Sequence, residues 1–264
     1  MYNKKYLIIK QEELAPGHRL MCLDAPEIAY LAAPGQFLHV LCADGQDPLL
    51  RRPLSVHFAD RERGRVYILY RVAGRGTAFL ARRTAGDFAD VMGPLGRGYT
   101  LPGCGERVAV VGGGIGAAPL FFLLGEIKKI YGGNTGGVSV FLGAATADAL
   151  PWARWVRDMG FPLQIATGDG SAGFAGTVID LLRERGDRQF DRVYACGPLP
   201  MVKELAAAVG PGPEVEVSIE ERMGCGVGAC LSCVCKVRAG EEDAFRYAHV
   251  CKDGPVFNLR ELVL

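Results

Sequence analysis

Four cysteines near the C-terminal end constrain this chain more than any other feature. Cys225, Cys230 and Cys233 follow a Cys-x4-Cys-x2-Cys pattern, and Cys251 comes after seventeen intervening residues. This is the spacing of plant-type 2Fe-2S sites. A loop of that kind must wrap a bulky diiron centre and aim backbone N–H groups at its sulfurs. Gly224, Gly226 and Gly228 permit the dihedrals and the close approach this requires. A zinc knuckle would call for two Cys-x2-Cys pairs. Only one pair remains once Cys235 is set aside, and a glycine-rich x4 loop has no purpose around a single tetrahedral ion. Cys235, on a strand after Cys233, faces as Cys233 faces and is a rival ligand in principle. The loop spacing favours Cys233 and leaves Cys235 to packing.

The rest of the composition agrees with a metal-bearing, non-secreted protein. Cys22, Cys42, Cys104 and Cys196 are scattered, whereas the other five of the nine cysteines fall in the last forty residues. Without an export signal such clustering favours metal over disulfides. The N-terminal run Tyr6–Ile9 is too short for a signal peptide and reads as a strand. Val108 to Gly125 is eighteen uncharged residues, but five glycines and Pro119 make it strand, turn and buried helix rather than a membrane span. Thirty basic and twenty-nine acidic residues give a net charge of +1, which argues against nucleic acid or an anionic membrane as a partner. The expectation is a soluble, cytoplasmic protein.

At 264 residues the chain has room for two or three compact units. Residues 1–100 hold short β-branched or alternating runs at Tyr6–Ile9, Phe37–Leu41, Ser55–Phe58 and Arg65–Tyr70, which predict a small antiparallel β-barrel. Gly93 to Gly98 reads as a connector. Residues 101–219 alternate strands with helices (one of them, Ala149–Met159, carrying both tryptophans), so an α/β domain with a parallel sheet is expected. Residues 220–264 are too few and too glycine-rich for a core of their own and need a metal centre. The predicted fold class is therefore multi-domain: an antiparallel β-barrel, an α/β domain with a parallel sheet and a small 2Fe-2S segment.

In the first segment, Arg52-Pro53-Leu54-Ser55 offers a guanidinium for a phosphate and a hydroxyl three positions on for a flavin ring. Tyr70-Arg71 leads into a glycine turn and helix start at Gly76-Thr77, whose amides suit a pyrophosphate. In the second, Val111-Gly112-Gly113-Gly114-Ile115-Gly116 runs from a strand through a glycine turn into a helix, and Cys196-Gly197-Pro198 closes a later strand on the same carboxyl edge. Dinucleotides bind at that edge. After the second strand, Gly143 to Asp148 contains no basic residue, and none follows until Arg154. NADH is therefore expected over NADPH.

The order of these motifs resembles the ferredoxin-reductase superfamily. Within it the chain is similar to the electron-transfer subunits of type 1B dihydroorotate dehydrogenases. The likeness is carried by Arg52–Ser55, Tyr70-Arg71, Gly76-Thr77, Gly112–Gly116, Asp169-Gly170-Ser171 with Gly176, Ser218–Cys230, and Cys251-Lys-Asp-Gly-Pro-Val-Phe257. It implies FAD held by Arg52, Pro53, Leu54, Ser55, Leu69, Tyr70, Arg71, Gly76 and Thr77. It also implies NAD(H) as co-substrate and cluster ligation by Cys225, Cys230, Cys233 and Cys251. The partner would be an FMN-containing dihydroorotate dehydrogenase catalytic subunit of pyrimidine synthesis, in a heterotetramer of two of each chain.

NADH gives up two electrons together and a 2Fe-2S cluster accepts one, so a flavin must stand between them. Ser55 is the candidate for a hydrogen bond near the flavin's reactive edge, and Cys196 for a neighbour of the nicotinamide, with a buried strand-end cysteine as the alternative. Glu220 is close to the cluster loop and reads as a capping or solvated acid, with proton handling as the alternative. His57 and His249 read as structural. A reductase of the same superfamily serving ferredoxin or a hydrogenase is the nearest rival. A nucleotide-sensing module with structural zinc is the rival from another class.

Overall fold

The structure, a computed structural model, describes residues 1–43, 45, 47–185, 189–240 and 244–264. Seven antiparallel strands build the first unit: β1 (Tyr2–Ala15), β2 (His18–Asp24), β3 (Phe37–Val40), β4 (Arg52–Ser55), β5 (Phe58–Asp60), β6 (Arg65–Arg71) and β7 (Phe88–Leu95). They pair in the order β4-β3-β7-β1-β2-β6-β5. The sheet curls until its edges meet. Between β4 and β5, Val56 donates its amide to Gln36 beside β3, and His57 donates its amide to Tyr67 in β6. The expected single strand Ser55–Phe58 is thus two strands on opposite edges, because the chain crosses the barrel seam at Val56-His57. The expected connector at Gly93 to Gly98 begins inside β7, where Gly93 pairs with Tyr2 and Leu95 with Phe37. β2 and β7 carried little apolar alternation and were not foreseen. Two short helices, α1 (Pro26–Leu31) and α2 (Arg75–Leu80), flank the curl.

The second unit is a sheet of β8 (Val108–Gly113), β9 (Val138–Ala144), β10 (Leu163–Thr167), β11 (Phe174–Ala175), β12 (Arg192–Cys196) and β13 (Glu214–Ser218). Its helices are α3 (Leu120–Ile130), α4 (Ala153–Asp158), α5 (Val178–Arg185) and α6 (Leu199–Ala208). The parallel order β10-β9-β8-β12-β13 reverses direction between β8 and β12. That reversal opens a crevice beyond their carboxyl ends. Strand alternation sorts the core: Val108 and Val110 face α3 and Trp152, whereas Ala109 and Val111 face α5 and α6. Only Trp155 lies inside α4. Trp152 precedes it as the residue that caps its start. Among the described residues no helix is long and apolar enough to cross a membrane.

The remaining strands are β14 (Val234–Arg238), β15 (Phe245–His249) and β16 (Val256–Asn258). β14 and β15 form a hairpin, while β16 adds antiparallel to β13 as the last strand of the α/β sheet. Cys233, Val237, Ala248, Val250 and Cys251 join the core that contains Ala109, Val202 and Val217. The short segment therefore borrows a core from its neighbour as well as enclosing its thiols.

One contact locks barrel to α/β domain. His57 is buried, its Nδ1–H donates to the Ala118 carbonyl at 2.6 Å, and its ring stacks on Phe121 at 4.8 Å. Burial pushes the imidazole down to about 4, with the Ala118 carbonyl opposing. The unfolded chain, with an ordinary histidine near 6.5, then binds the extra proton first as pH falls. Stability is fully retained above about pH 6.5 and declines below it, by about 2 kcal/mol at pH 5. Urea unfolding at pH 7.5 and pH 5 measures this. The His57→Gln variant, neutral but still a donor, should lose that part of the pH dependence, and an unchanged slope would contradict it.

Candidate functional site

A cleft of about 500 Å³ opens between the barrel and the α/β domain. On the barrel side it is walled by Phe37, Pro53, Leu54, Ser55, Leu69, Tyr70 and Arg71, and on the other by Ile115, Gly116, Ala118, Pro119 and Cys196. Six of the residues expected around a flavin thus meet on one wall. The other three shape the end of the site. A methyl at Gly76 would lie 2.8 Å from Arg52 Nε, so the Arg52 side chain rests directly on the first turn of α2 and would have to shift if that residue carried a side chain. Thr77 Oγ1 accepts from the amides of Ala73 and Gly74 at 2.9 and 3.2 Å, folding the loop between β6 and α2. An arginine cradled by a glycine turn beside a half-apolar cleft suits a nucleotide-linked ring system.

The glycine turn after β8 divides its labour. A methyl at Gly112 would meet Ala117 at 2.7 Å, one at Gly113 would meet Met201 Sδ at 2.6 Å, and one at Gly116 would meet the Gly197 Cα at 2.7 Å. These three let the turn pack on its own sheet and on Cys196-Gly197-Pro198. Gly114 differs: it has φ +54° and nothing within 4 Å of an added methyl. Its bare backbone faces a second cleft of about 580 Å³, together with Gly113, Gly116, Gly197 and Pro198. Arg71, Ile115, Gly116 and Glu220 line both clefts, so the two adjoin along one seam. Cys196 at the seam is buried, and burial pushes its thiol up to about 12, Glu220's charge adding to it, so it is neutral.

Sequence reasoning undervalued Glu220. It is exposed along the cleft wall, yet enough protein surrounds the carboxyl that desolvation raises its pKa, with Arg71 pulling it back. Its position just past β13, on the carboxyl edge, was the available signal. Pro255 also lines the first cleft. No local pattern announces it, because it arrives through the pairing of β16 with β13.

Asp169, just past β10, accepts from the Ser171 amide and hydroxyl at 3.0 and 2.6 Å, and Ser171 Oγ in turn accepts from the Ala147 amide. This acidic turn flanks Gly168, which lines the second cleft, and exposed Asp148 directly follows Ala147, whose amide donates to Ser171. A 2′-phosphate there would meet carboxylates. NADH should exceed NADPH by about tenfold or more in kcat/KM for flavin reduction, each tenfold being about 1.4 kcal/mol. Equal values for the two nucleotides would contradict this.

The four motif cysteines gather as two pairs, Cys225 with Cys230 and Cys233 with Cys251. The amides of Val227, Ala229 and Cys230 point at Cys225 Sγ at 3.2–3.4 Å, and that of Gly228 points at Cys251 Sγ at 3.1 Å. Gly226 and Gly228 at φ +74° and +81° turn those amides inward. Burial opposes ionisation of Cys225, but the amides of Val227 and Cys230 outweigh it and lower its pKa. Ser232 brings the exposed Cys230 down to about 6. Cys251 is pushed up to about 12 by burial and then by Cys233. Among the described residues no three metal-ligating side chains converge as a single ion requires. Two thiol pairs under inward amides fit a binuclear cluster, in which each iron takes two thiolates, better than one zinc ion. Cys235 stands across from Ala248, packs on the core, and is raised to about 11 by burial and then by Glu221. It belongs to neither pair.

A family model described as the iron-sulfur cluster binding domain of dihydroorotate dehydrogenase B matches residues 220–263. The "Dihydroorotate dehydrogenase B (NAD(+)), electron transfer subunit" of Desulforamulus reducens is 48% identical over 249 residues, 92% of each chain. The protein of the same name from Geobacillus thermodenitrificans is 44% identical over 264 residues, 99% of each. Among solved structures, an NADH-dependent reduced ferredoxin-NADP oxidoreductase superposes with a TM-score of 0.83 at 30% identity, over 98% of this chain and 89% of that one. A ferredoxin NADP+ reductase from Neisseria gonorrhoeae, solved with FAD and NADP, shares the fold at a TM-score of 0.64 and 16% identity, over 83% and 100% of the two chains.

Proposed function

Because the chain belongs to the family of dihydroorotate dehydrogenase B (NAD(+)) electron transfer subunits, we propose that it passes electrons between NADH and a catalytic subunit acting on dihydroorotate, through FAD and a 2Fe-2S cluster. The observation that carries this is the serial arrangement of the sites. The nicotinamide-type cleft shares the seam Arg71, Ile115, Gly116 and Glu220 with the flavin-type cleft, and Ile219 to Met223, which lead into the cluster loop, line the latter. Residues 1–100 carry the flavin, 101–219 the nicotinamide and 220–264 the cluster. The partner subunit contains FMN and associates as two of each chain in the cytoplasm.

The flavin's contribution, when bound, is to exchange electrons in pairs with a nicotinamide and singly with a metal cluster. The chain's own residues place it. Arg52 neutralises phosphate at the mouth of α2, Ser55 holds the ring edge by hydrogen bonding, and Leu54, Leu69 and Tyr70 provide the ring's wall. Gly114 admits the dinucleotide pyrophosphate, and neutral Cys196 bounds the place where the two rings meet. Glu220 holds a proton more readily than a solvated carboxylate does. The inward amides at Cys225 and Cys251 stabilise thiolate charge and raise the cluster's potential.

Purified protein should be yellow-brown, with one FAD, about two irons and two acid-labile sulfides per chain. Visible spectroscopy with iron, sulfide and zinc analysis tests this. Zinc in place of iron, or a colourless protein, would overturn the reading.

A further inference from the structure

A buried histidine lies between the flavin strand and the cluster loop. His39 is in β3, two residues after Phe37 of the cleft wall, and its cross-strand neighbour is Pro53. The side chain has no exposed surface, and neither ring nitrogen has a hydrogen-bond partner among the described residues. Main-chain groups of Cys225 and Arg51 are within reach of the ring without completing such a bond. A methyl on Gly226 would lie 2.6 Å from Nδ1 and 3.2 Å from Cγ. Gly226 is therefore demanded twice, by its φ of +74° and by the imidazole pressed against it. Leucine would serve as plain filling at this position without burying unpaired polar atoms.

We propose that His39 is a positioning residue for electron transfer: its ring wedges the cluster loop at Gly226 against the strand pair that carries the flavin-binding residues. This deepens the electron-relay reading and rests on it. Transfer between two fixed centres falls off steeply with their separation, so the contact that sets the loop's height over the barrel sets the rate. His39 exchanges neither electrons nor protons in this role. The three atoms nearest a methyl on Gly226, at 2.6 to 3.3 Å, all belong to this ring.

The test compares full-length protein loaded with FAD and cluster as wild type, His39→Ala and His39→Gln, which restores most of the volume. Stopped-flow bleaching gives the NADH-to-flavin step, freeze-quench EPR gives the flavin-to-cluster step, and the reduced cluster's g values report its surroundings. In His39→Ala the second step should slow by roughly tenfold or more and the g values shift, while the first step stays within about twofold. His39→Gln should recover most of the loss. An unchanged EPR spectrum and rate in loaded His39→Ala would overturn the proposal, and so would equal slowing of both steps, the mark of general structural damage. Where the alanine variant yields no folded protein, His39→Asn is compared with His39→Gln by the same criteria, the smaller side chain being the slower. Wild-type protein without FAD or iron would instead refute the relay reading.

Discussion

Alone, the protein is expected to oxidise NADH with artificial acceptors and to leave dihydroorotate and orotate untouched. Neither cleft offers a separate enclosed site for a small organic acid, since both are walled by residues assigned to the flavin and the dinucleotide. The cluster loop, in contrast, presents itself outward. Cys230 is exposed, and Leu231 and Val227 on the same loop are 61% and 41% exposed. A redox centre at the surface with apolar side chains beside it is suited to delivery across a protein interface. Adding the dihydroorotate dehydrogenase catalytic subunit should therefore create NADH-linked orotate reduction where neither chain has any. Removing the cluster should lower that coupled activity by about 100-fold and leave NADH-to-flavin transfer within about twofold, because the first cleft adjoins the second at Arg71, Ile115, Gly116 and Glu220 and none of the four motif cysteines lines either. Orotate turnover by this chain alone, or full coupling without the cluster, would overturn the relay.

Cys230→Ser should strip or cripple the cluster, whereas Cys235→Ser should leave about two irons per chain in place. The two thiols are five residues apart, but their surroundings are opposite. Cys230 is exposed, has its pKa brought down to about 6 by Ser232, and pairs with Cys225. Cys235 is held up near 11 by burial, beside the core under β14. Cys230 belongs to the x4–x2 loop and faces Cys225 across it, whereas Cys235 belongs to neither thiol pair. Iron analysis and the visible spectrum of both variants decide the matter. Equal iron loss would mean that Cys235 had been wrongly excluded as a ligand.

Much of the site was legible in local spacing. Cys-x4-Cys-x2-Cys, Arg52–Ser55 and the glycine turns at 112–116 and 196–198 each lie within one loop, so backbone geometry over a few residues decides what they can hold. The alternation of β8 and its neighbours was equally plain, because a strand buried on both faces needs an unbroken apolar run. The barrel was harder. β2 and β7 are strands whose pairing, rather than their own pattern, makes them so. The apparent strand Ser55–Phe58 proved to be a seam crossing, decided by the distant partners Gln36 and Tyr67.

By itself, then, the sequence determined the cysteine spacing and the glycine turns: these depend on covalent spacing and on glycine's freedom, which no partner need supply. Only the tertiary structure decided how the centres stand to one another. Pro255 reaches the first cleft because β16 pairs with β13, thirty-eight or more residues apart in the chain. His39 reaches the cluster loop because the barrel packs beneath Gly226. Such placements come from burying apolar faces against one another over long sequence separations, and that collective choice leaves no mark at any single residue.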